Sequence, residues 1–285
     1  MKATQANLLS LLNGPRQFVV PIYQRTYSWT DKQCRQLWTD IVRIAVNDKE
    51  PAHFVGSIVY IEKGIYQVTA VPQLLVIDGQ QRLTTISLLL AALARALDGT
   101  ESKSDISAKK IENYYLFNGE EEGDLRYKLM LTQSDRDTYF RLIDGTVLPT
   151  KSSARLLENY KFFETQMRES GIDPSVLYRG IGKLIIVDVS LDRMYDNPQL
   201  IFESLNSTGL ALTHADLIRN YILMGQEPTI QNNLYSTYWY PMENSFGHDV
   251  YEWLFSRFMR NYLTLKSKSG AIPKIDEVYS ECVFR

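Results

Sequence analysis

Cysteine and histidine are nearly missing from this sequence, and their scarcity removes two kinds of chemistry. The 285 residues include two cysteines, Cys34 and Cys282, far apart and outside any Cys-x-x-Cys pair. That pattern excludes a disulfide framework and a thiolate zinc site. Unpaired thiols fit a reducing compartment, so a cytoplasmic location is expected. The three histidines, His53, His214 and His248, show no His-Glu-x-x-His or related spacing, and a metal or nuclease centre built on them is not expected. Basic residues are not in excess either. The formal net charge is −2, so contact with nucleic acid would need a local basic patch. Long apolar runs are lacking: the longest, near residues 88–97, carries Arg95 and is too short to span a bilayer. No membrane association is expected. Residues 1–12 hold one lysine and a short apolar stretch broken by Asn and Ser, which does not read as a signal peptide. No Gly-x-x-x-x-Gly-Lys-Ser/Thr run occurs, which excludes a P-loop.

What is present suits a folded protein. Hydrophobic residues make up 45% and charged residues 22%, a balance that supports a sizeable core in one large domain or two modest ones. The 18 tyrosines serve packing and hydrogen bonding more simply than they serve stacking on bases. Residues 4–12 read as a short helix stopped by Gly14-Pro15, and residues 17–23 as a strand kinked or placed at an edge by Pro21. Thr30 and Gln33 have the form of a capping box, and Cys34, Leu37, Trp38, Ile41 and Ala45 share one face of the helix that follows. Residues 54–61 and 74–77 read as strands, with a further short strand at 65–68. The next helix repeats Leu83, Ile86, Leu89, Leu90, Leu93 and Leu97 and is apolar on other faces too, so it is buried on most sides.

Beyond residue 98 a polar loop runs to 107. Helices are expected at 111–117, 134–143 and 153–168, and strands at 125–131 and 181–191. From residue 198 the chain reads as helical, at 199–205, 213–223, 232–240 and 249–265, with a second capping box at Thr213 and Asp216. The expected class is α+β: a small mixed sheet with helices in residues 1–100, then a mainly helical region, 101–285, that lends one strand and the turn Asn206–Gly209 to it.

Three segments carry chemistry-bearing residues. The first is Asp78-Gly79-Gln80-Gln81-Arg82, where a buried strand turns into a buried helix. A helix start offers backbone N–H groups and the positive end of its dipole, which suits phosphate. Gly79 allows close approach, Arg82 can fork onto phosphate oxygens, Asp78 can hold a divalent cation, and Gln80 or Gln81 can donate to phosphate or orient a water. The competing account is structural: Asp78 and Gly79 as ordinary capping residues, and Arg82 paired with a carboxylate. The second segment is PIYQRTYSW, residues 21–29. Gln24 and Arg25 can grip phosphate, or else support the fold; Tyr27 and Trp29 read as packing. The third runs IFESLNSTGLALTHADLIRN, residues 201–220. Asn206 to Gly209 can cradle a ligand or merely turn a corner between helices. The corner account explains Gly209 and Thr213 but not the polar Asn206, Arg219 and Asn220 beside buried faces.

Together with HFVGSIV at 53–59 and VIDGQQRLTTISLLL at 76–90, these segments resemble the N-terminal domain family of GmrSD-type modification-dependent restriction enzymes. The resemblance spans about residues 17–225. It implies a ParB/sulfiredoxin-like core. It implies binding and hydrolysis of a nucleoside triphosphate (GTP, UTP or ATP) with Mg2+ or another divalent cation. Asp78, Gln81 and Arg82 would be catalytic, with Asp78 at the metal, and Gln24, Arg25, Gly79, Gln80, Asn206 and Gly209 would bind nucleotide. It further implies a role in DNA restriction and phage defence, with modified DNA as a partner. Many family members continue into an HNH-type nuclease domain. No His-Asn-His pattern follows residue 225, so cleavage by this chain is not expected, and a separate nuclease domain or subunit is. Two other functions fit the residues: a DNA-binding module that hydrolyses nothing, and a scaffold that docks a nuclease through the aromatic helices at 235–240 and 251–258. Homodimer formation is left open by the sequence.

Overall fold

The computed structural model describes residues 1–62, 71–98, 106–192, 195–206, 213–246 and 251–266. The expected strand at 65–68, most of the loop 98–107, Gly209, His248 and Cys282 lie outside them. Contacts divide the chain into two units: residues 1–21 with 26–196, and residues 22–25 with 197–285. The boundary expected near residue 100 falls inside the first.

The first unit is α+β. Its strands are β1 (Lys2–Asn7), β2 (Gln17–Val19), β3 (His53–Glu62), β4 (Gln73–Asp78), β5 (Leu129–Met130) and β6 (Leu184–Leu191). Its α-helices are α1 (Leu8–Leu12), α2 (Asp31–Val46), α3 (Gln80–Leu97), α4 (Ala108–Ile111), α5 (Gln133–Asp144), α6 (Ala154–Glu169) and α7 (Pro174–Gly182). The six strands form one mixed sheet in the order β1-β6-β3-β4-β2-β5. β3 runs parallel to β6 and antiparallel to β4, and β2 is parallel to β4 and β5.

α3 is the central helix. Fifteen of its residues, from Gln80 to Leu97, are buried, as its all-round apolar pattern requires. It packs on α4, α5 and α6. α2 buries Cys34, Leu37, Trp38, Ile41, Ile44 and Ala45, the face read from the sequence. Gln33 reaches back to the Thr30 N–H at 2.9 Å, which fixes the start of that helix.

Several boundaries differ from expectation. Residues 4–12 do not form one helix: Lys2–Asn7 is a strand, paired residue by residue with β6, and only Leu8–Leu12 is helical. Ladder bonds to an existing strand override a weak local helix pattern. β2 stops at Val19, because Pro21 cannot donate to a ladder and residues 22–25 pack with the other unit. Of the strand expected at 125–131 only Leu129–Met130 remains, since Gly123–Arg126 forms a 3-10 turn. β6 begins at Leu184, not at 181, because Ile181 and Gly182 close α7. The sequence did carry a signal for α7: Asp173 caps it by accepting from the Ser175 N–H, and Pro174 opens it.

The second unit is helical where described: α8 (Pro198–Asn206), α9 (His214–Leu223), α10 (Pro228–Leu234), α11 (Tyr240–Phe246) and α12 (Tyr251–Lys266), with a wider π turn at Tyr235–Trp239. Tyr23, Ala215, Ile218, Leu223, Tyr235, Trp239 and Phe255 form its own core. Among the described residues no helix is long and apolar enough to cross a membrane.

Candidate functional site

The junction of β4 and α3 is built from three backbone irregularities. Gly79 is the N-cap of α3 with φ 95° and ψ 5°, the left-handed region that glycine alone enters at no steric cost. A Cβ there would lie 2.8 Å from the Ser57 carbonyl oxygen, so the close approach also demands glycine. On β4 the register slips beside Val59 and Tyr60: these adjacent residues face Asp78 and Val76, which leaves Ile77 as an extra residue. On β3 the register with β6 slips between Phe54 and Ser57, which face Ile185 and Val187. Each slip is a bulge, a device that re-aims side chains and recurs near working sites.

These irregularities bring Asp78 and Arg82 together. The Asp78 side chain is 27% exposed and that of Arg82 30%, with Arg82 Nη1 3.6 Å from Asp78 Oδ2. Arg82 Nη1 donates to the Ser57 carbonyl at 2.6 Å, and Ser57 Oγ lies 3.4 Å from Asp78 Oδ2. Arg82 Nε and Nη2 make no hydrogen bond among the described residues. α3 begins with no side-chain cap. A helix start carries N–H groups without a carbonyl four residues earlier and the positive end of the dipole; here Gly79, Gln80 and Gln81 are buried, and the partly exposed guanidinium of Arg82 stands beside them.

Gln81, expected from the family resemblance to be catalytic, is engaged by the protein itself. It is buried, and its Oε1 accepts from the Ser28 N–H at 2.8 Å and the Trp29 N–H at 3.3 Å, while Nε2 donates to the Thr26 carbonyl at 3.2 Å. The amide therefore clamps the 26–29 loop onto α3. That loop is held from other sides too. The Tyr27 N–H donates to Asp135, the Tyr27 hydroxyl meets Thr85 Oγ1 at 2.7 Å, and Asn159 Nδ2 donates to both the Tyr27 hydroxyl and the Trp29 carbonyl. Burial pushes the Tyr27 hydroxyl well above its ordinary pKa, so it stays protonated. Gln80 is buried as well.

Gln24 and Arg25 belong to the second unit. Gln24 is buried, and Arg25 is half-buried with no hydrogen bond or ion pair among the described residues. Asn206 ends α8, but its side chain and Gly209 lie outside the described residues. The sequence left Arg219 and Asn220 unexplained. Arg219 is 4% exposed and donates through Nε to the Tyr23 carbonyl at 3.0 Å, through Nη2 to Asp216 at 2.6 Å and through Nη1 to Glu243 at 2.5 Å. Asn220 is equally buried, and neither atom of its amide has a hydrogen-bond partner among the described residues. Asp216 and Thr213 cap α9 reciprocally, as read from the sequence. Gly56 and Ser57 did not stand out in the sequence as site residues. The glycine within HFVGSIV was the available signal, since a glycine inside a strand pattern marks a bulge or a close approach.

A mixed sheet whose strand-to-helix junction carries Asp-Gly-Gln-Gln-Arg defines the class, and the comparison with known families gives it a name. Residues 8–223 match the family described as GmrSD restriction endonuclease, N-terminal domain, and the chain belongs to that family. No curated protein matches the chain.

Proposed function

We propose that the β4–α3 junction binds the phosphates of a nucleoside triphosphate and hydrolyses it, as the nucleotide-dependent part of a modification-dependent restriction system acting in phage defence. One observation carries the reading: a partly exposed Asp78–Arg82 pair stands beside the glycine N-cap of a helix. Anionic oxygens would meet the backbone N–H groups of α3 and the Nε and Nη2 edge of Arg82. Among the described residues there is no group of three or more metal-ligating side chains. The single carboxylate of Asp78 fits Mg2+, which commonly takes one or two carboxylates together with substrate phosphates and water, and Asp78 would be the protein ligand. Such a cation, when bound, would neutralise charge on the phosphates. Positioning and charge stabilisation account for most of the catalysis in phosphoryl transfer, so this small set of groups is sufficient.

Gln81 acts in this reading by holding the 26–29 loop rather than by touching the nucleotide. Gln24, Arg25, Asn206 and Gly209 are assigned to nucleotide binding by family resemblance alone. The same resemblance takes the sheet as ParB/sulfiredoxin-like, with modified DNA as the partner and cleavage supplied by an HNH-type domain or subunit.

The test is hydrolysis of GTP, UTP, ATP and CTP with magnesium by the wild type, Asp78→Ala and Arg82→Ala. Loss of roughly a hundredfold or more in each variant is expected if the pair stabilises transition-state charge. Equal activity in all three proteins removes the pair from the reaction. Salt-dependent DNA binding that ignores added nucleotide would favour a non-hydrolysing DNA-binding module instead.

A further inference from the structure

We propose that Gly56 and the β3 bulge around it are the positioning device for Arg82, and so belong to the nucleotide site although they carry no reactive group. The inference rests on the phosphate-binding reading of Arg82 given above. Gly56 has φ 108°, and a Cβ on it would lie 2.6 Å from Arg82 Nε, 2.7 Å from Cζ and 3.0 Å from Nη2. Three atoms of the guanidinium therefore lie against the bare Cα of Gly56. No other residue leaves that space.

The bulge also supplies the second constraint. Val55 and Gly56 span the interval that a single residue, Ile186, spans on β6. A bulge is uncommon in a parallel pair, and it disrupts the ladder locally. The next residue, Ser57, offers its carbonyl to Arg82 Nη1 at 2.6 Å. Its hydroxyl lies 3.4 Å from Asp78 Oδ2. One face of the guanidinium is thus set by Gly56 and one donor by the Ser57 carbonyl, while the Asp78 carboxylate stands 3.6 Å from that same nitrogen. The edge formed by Nε and Nη2 keeps its donors in a fixed direction. Fixing a side chain before the ligand arrives reduces the ordering cost of binding.

The consequence is a coupling between two residues in different elements, and a double-mutant cycle measures it. Four proteins are compared: wild type, Gly56→Ala, Arg82→Ala and the double variant. The readouts are the thermal midpoint without ligand and the Kd for GTP with magnesium. Gly56→Ala should weaken binding by about tenfold or more when Arg82 is present, and should cost nothing further when residue 82 is alanine. The backbone strain of alanine at φ 108° is the same in both backgrounds and cancels. The thermal midpoint lost in Gly56→Ala should be partly regained in the double variant, because the clash is with the guanidinium.

Equal fold-losses from Gly56→Ala in both backgrounds would overturn the inference and leave the nucleotide reading intact. Unchanged binding in Arg82→Ala would overturn both. If Gly56→Ala does not fold alone, Arg82→Lys decides. Lysine keeps the charge but lacks the plane and fork that Gly56 and Ser57 shape. Binding near the Arg82→Ala level supports the inference, and binding near the wild-type level overturns it.

Discussion

Two arginines, one in each unit, stand near an aspartate at the start of a helix and are used in opposite ways. Arg219 is 4% exposed, and its donors go to Asp216, Glu243 and the Tyr23 carbonyl. Arg82 is 30% exposed, gives one nitrogen to the Ser57 carbonyl, and stands 3.6 Å from Asp78. Their helices differ in the same sense. α9 is closed by the reciprocal Thr213–Asp216 box, whereas α3 opens on Gly79 with no side-chain cap. A saturated, buried guanidinium at a sealed helix start can only hold structure. A partly exposed one beside a glycine N-cap retains donors that an anion could take.

The sharpest way to break this comparison is to remove each arginine in turn. Arg219→Met leaves Asp216 and Glu243 buried without their cation and should cost about 3–5 kcal/mol, read as a large fall in the denaturant midpoint. Arg82→Ala breaks only a half-exposed pair and one carbonyl bond, so its stability cost should be about 1 kcal/mol or less. Its effect should fall on nucleotide turnover. Comparable stability losses in the two variants would show that Arg82 is structural after all.

Gln81 tests the border between site and scaffold. Its amide holds the backbone of Thr26, Ser28 and Trp29. Gln81→Leu strands two N–H groups and a carbonyl, and should destabilise by about 2–3 kcal/mol. A variant that keeps wild-type stability while losing turnover would return Gln81 to the chemistry.

The sequence made the periodic elements legible and left the irregular ones obscure. α2, α3 and α9 could be read because hydrophobic spacing and capping residues agree there. The pairing of Lys2–Asn7 with β6 could not, because it joins residues about 180 apart and its strand has no clean alternation. At the site, Asp78, Gly79 and Arg82 were visible as a motif. Gly56 and Ser57 were not, since their role depends on a register slip that only the paired strand reveals. Gln81 was legible as part of the motif, but its hold on the 26–29 loop was not. A buried glutamine and an exposed one look alike until the loop it holds is seen.

Lys128 extends the comparison to a cation that has neither arginine's arrangement. It is 4% exposed, and its Nζ donates to the Gly14 carbonyl and to Asn118 Oδ1 at 3.2 Å. Burial, with Arg16 nearby, pushes its pKa down to about 8. The unfolded chain, with a lysine near its ordinary value, then holds more protons than the folded one between about pH 8 and 10.4. Stability from this group therefore rises with pH across that window. At pH 9 the relief should be about 1 kcal/mol, seen as a difference between the wild type and Lys128→Met measured at pH 7 and pH 9. The comparison with the variant cancels Cys34, whose raised pKa of about 11 acts in the opposite direction. A pH 7-to-9 change that is the same in both proteins would show that Lys128 does not titrate in this range.

Asn220 sharpens the contrast within the second unit itself. Its neighbour Arg219 is fully engaged, yet the Asn220 amide is buried with neither atom hydrogen-bonded among the described residues. A buried amide without partners costs more than a hydrocarbon of the same size. Asn220→Leu should therefore raise stability by about 1 kcal/mol, and a lowered thermal midpoint would show that the amide has a partner after all.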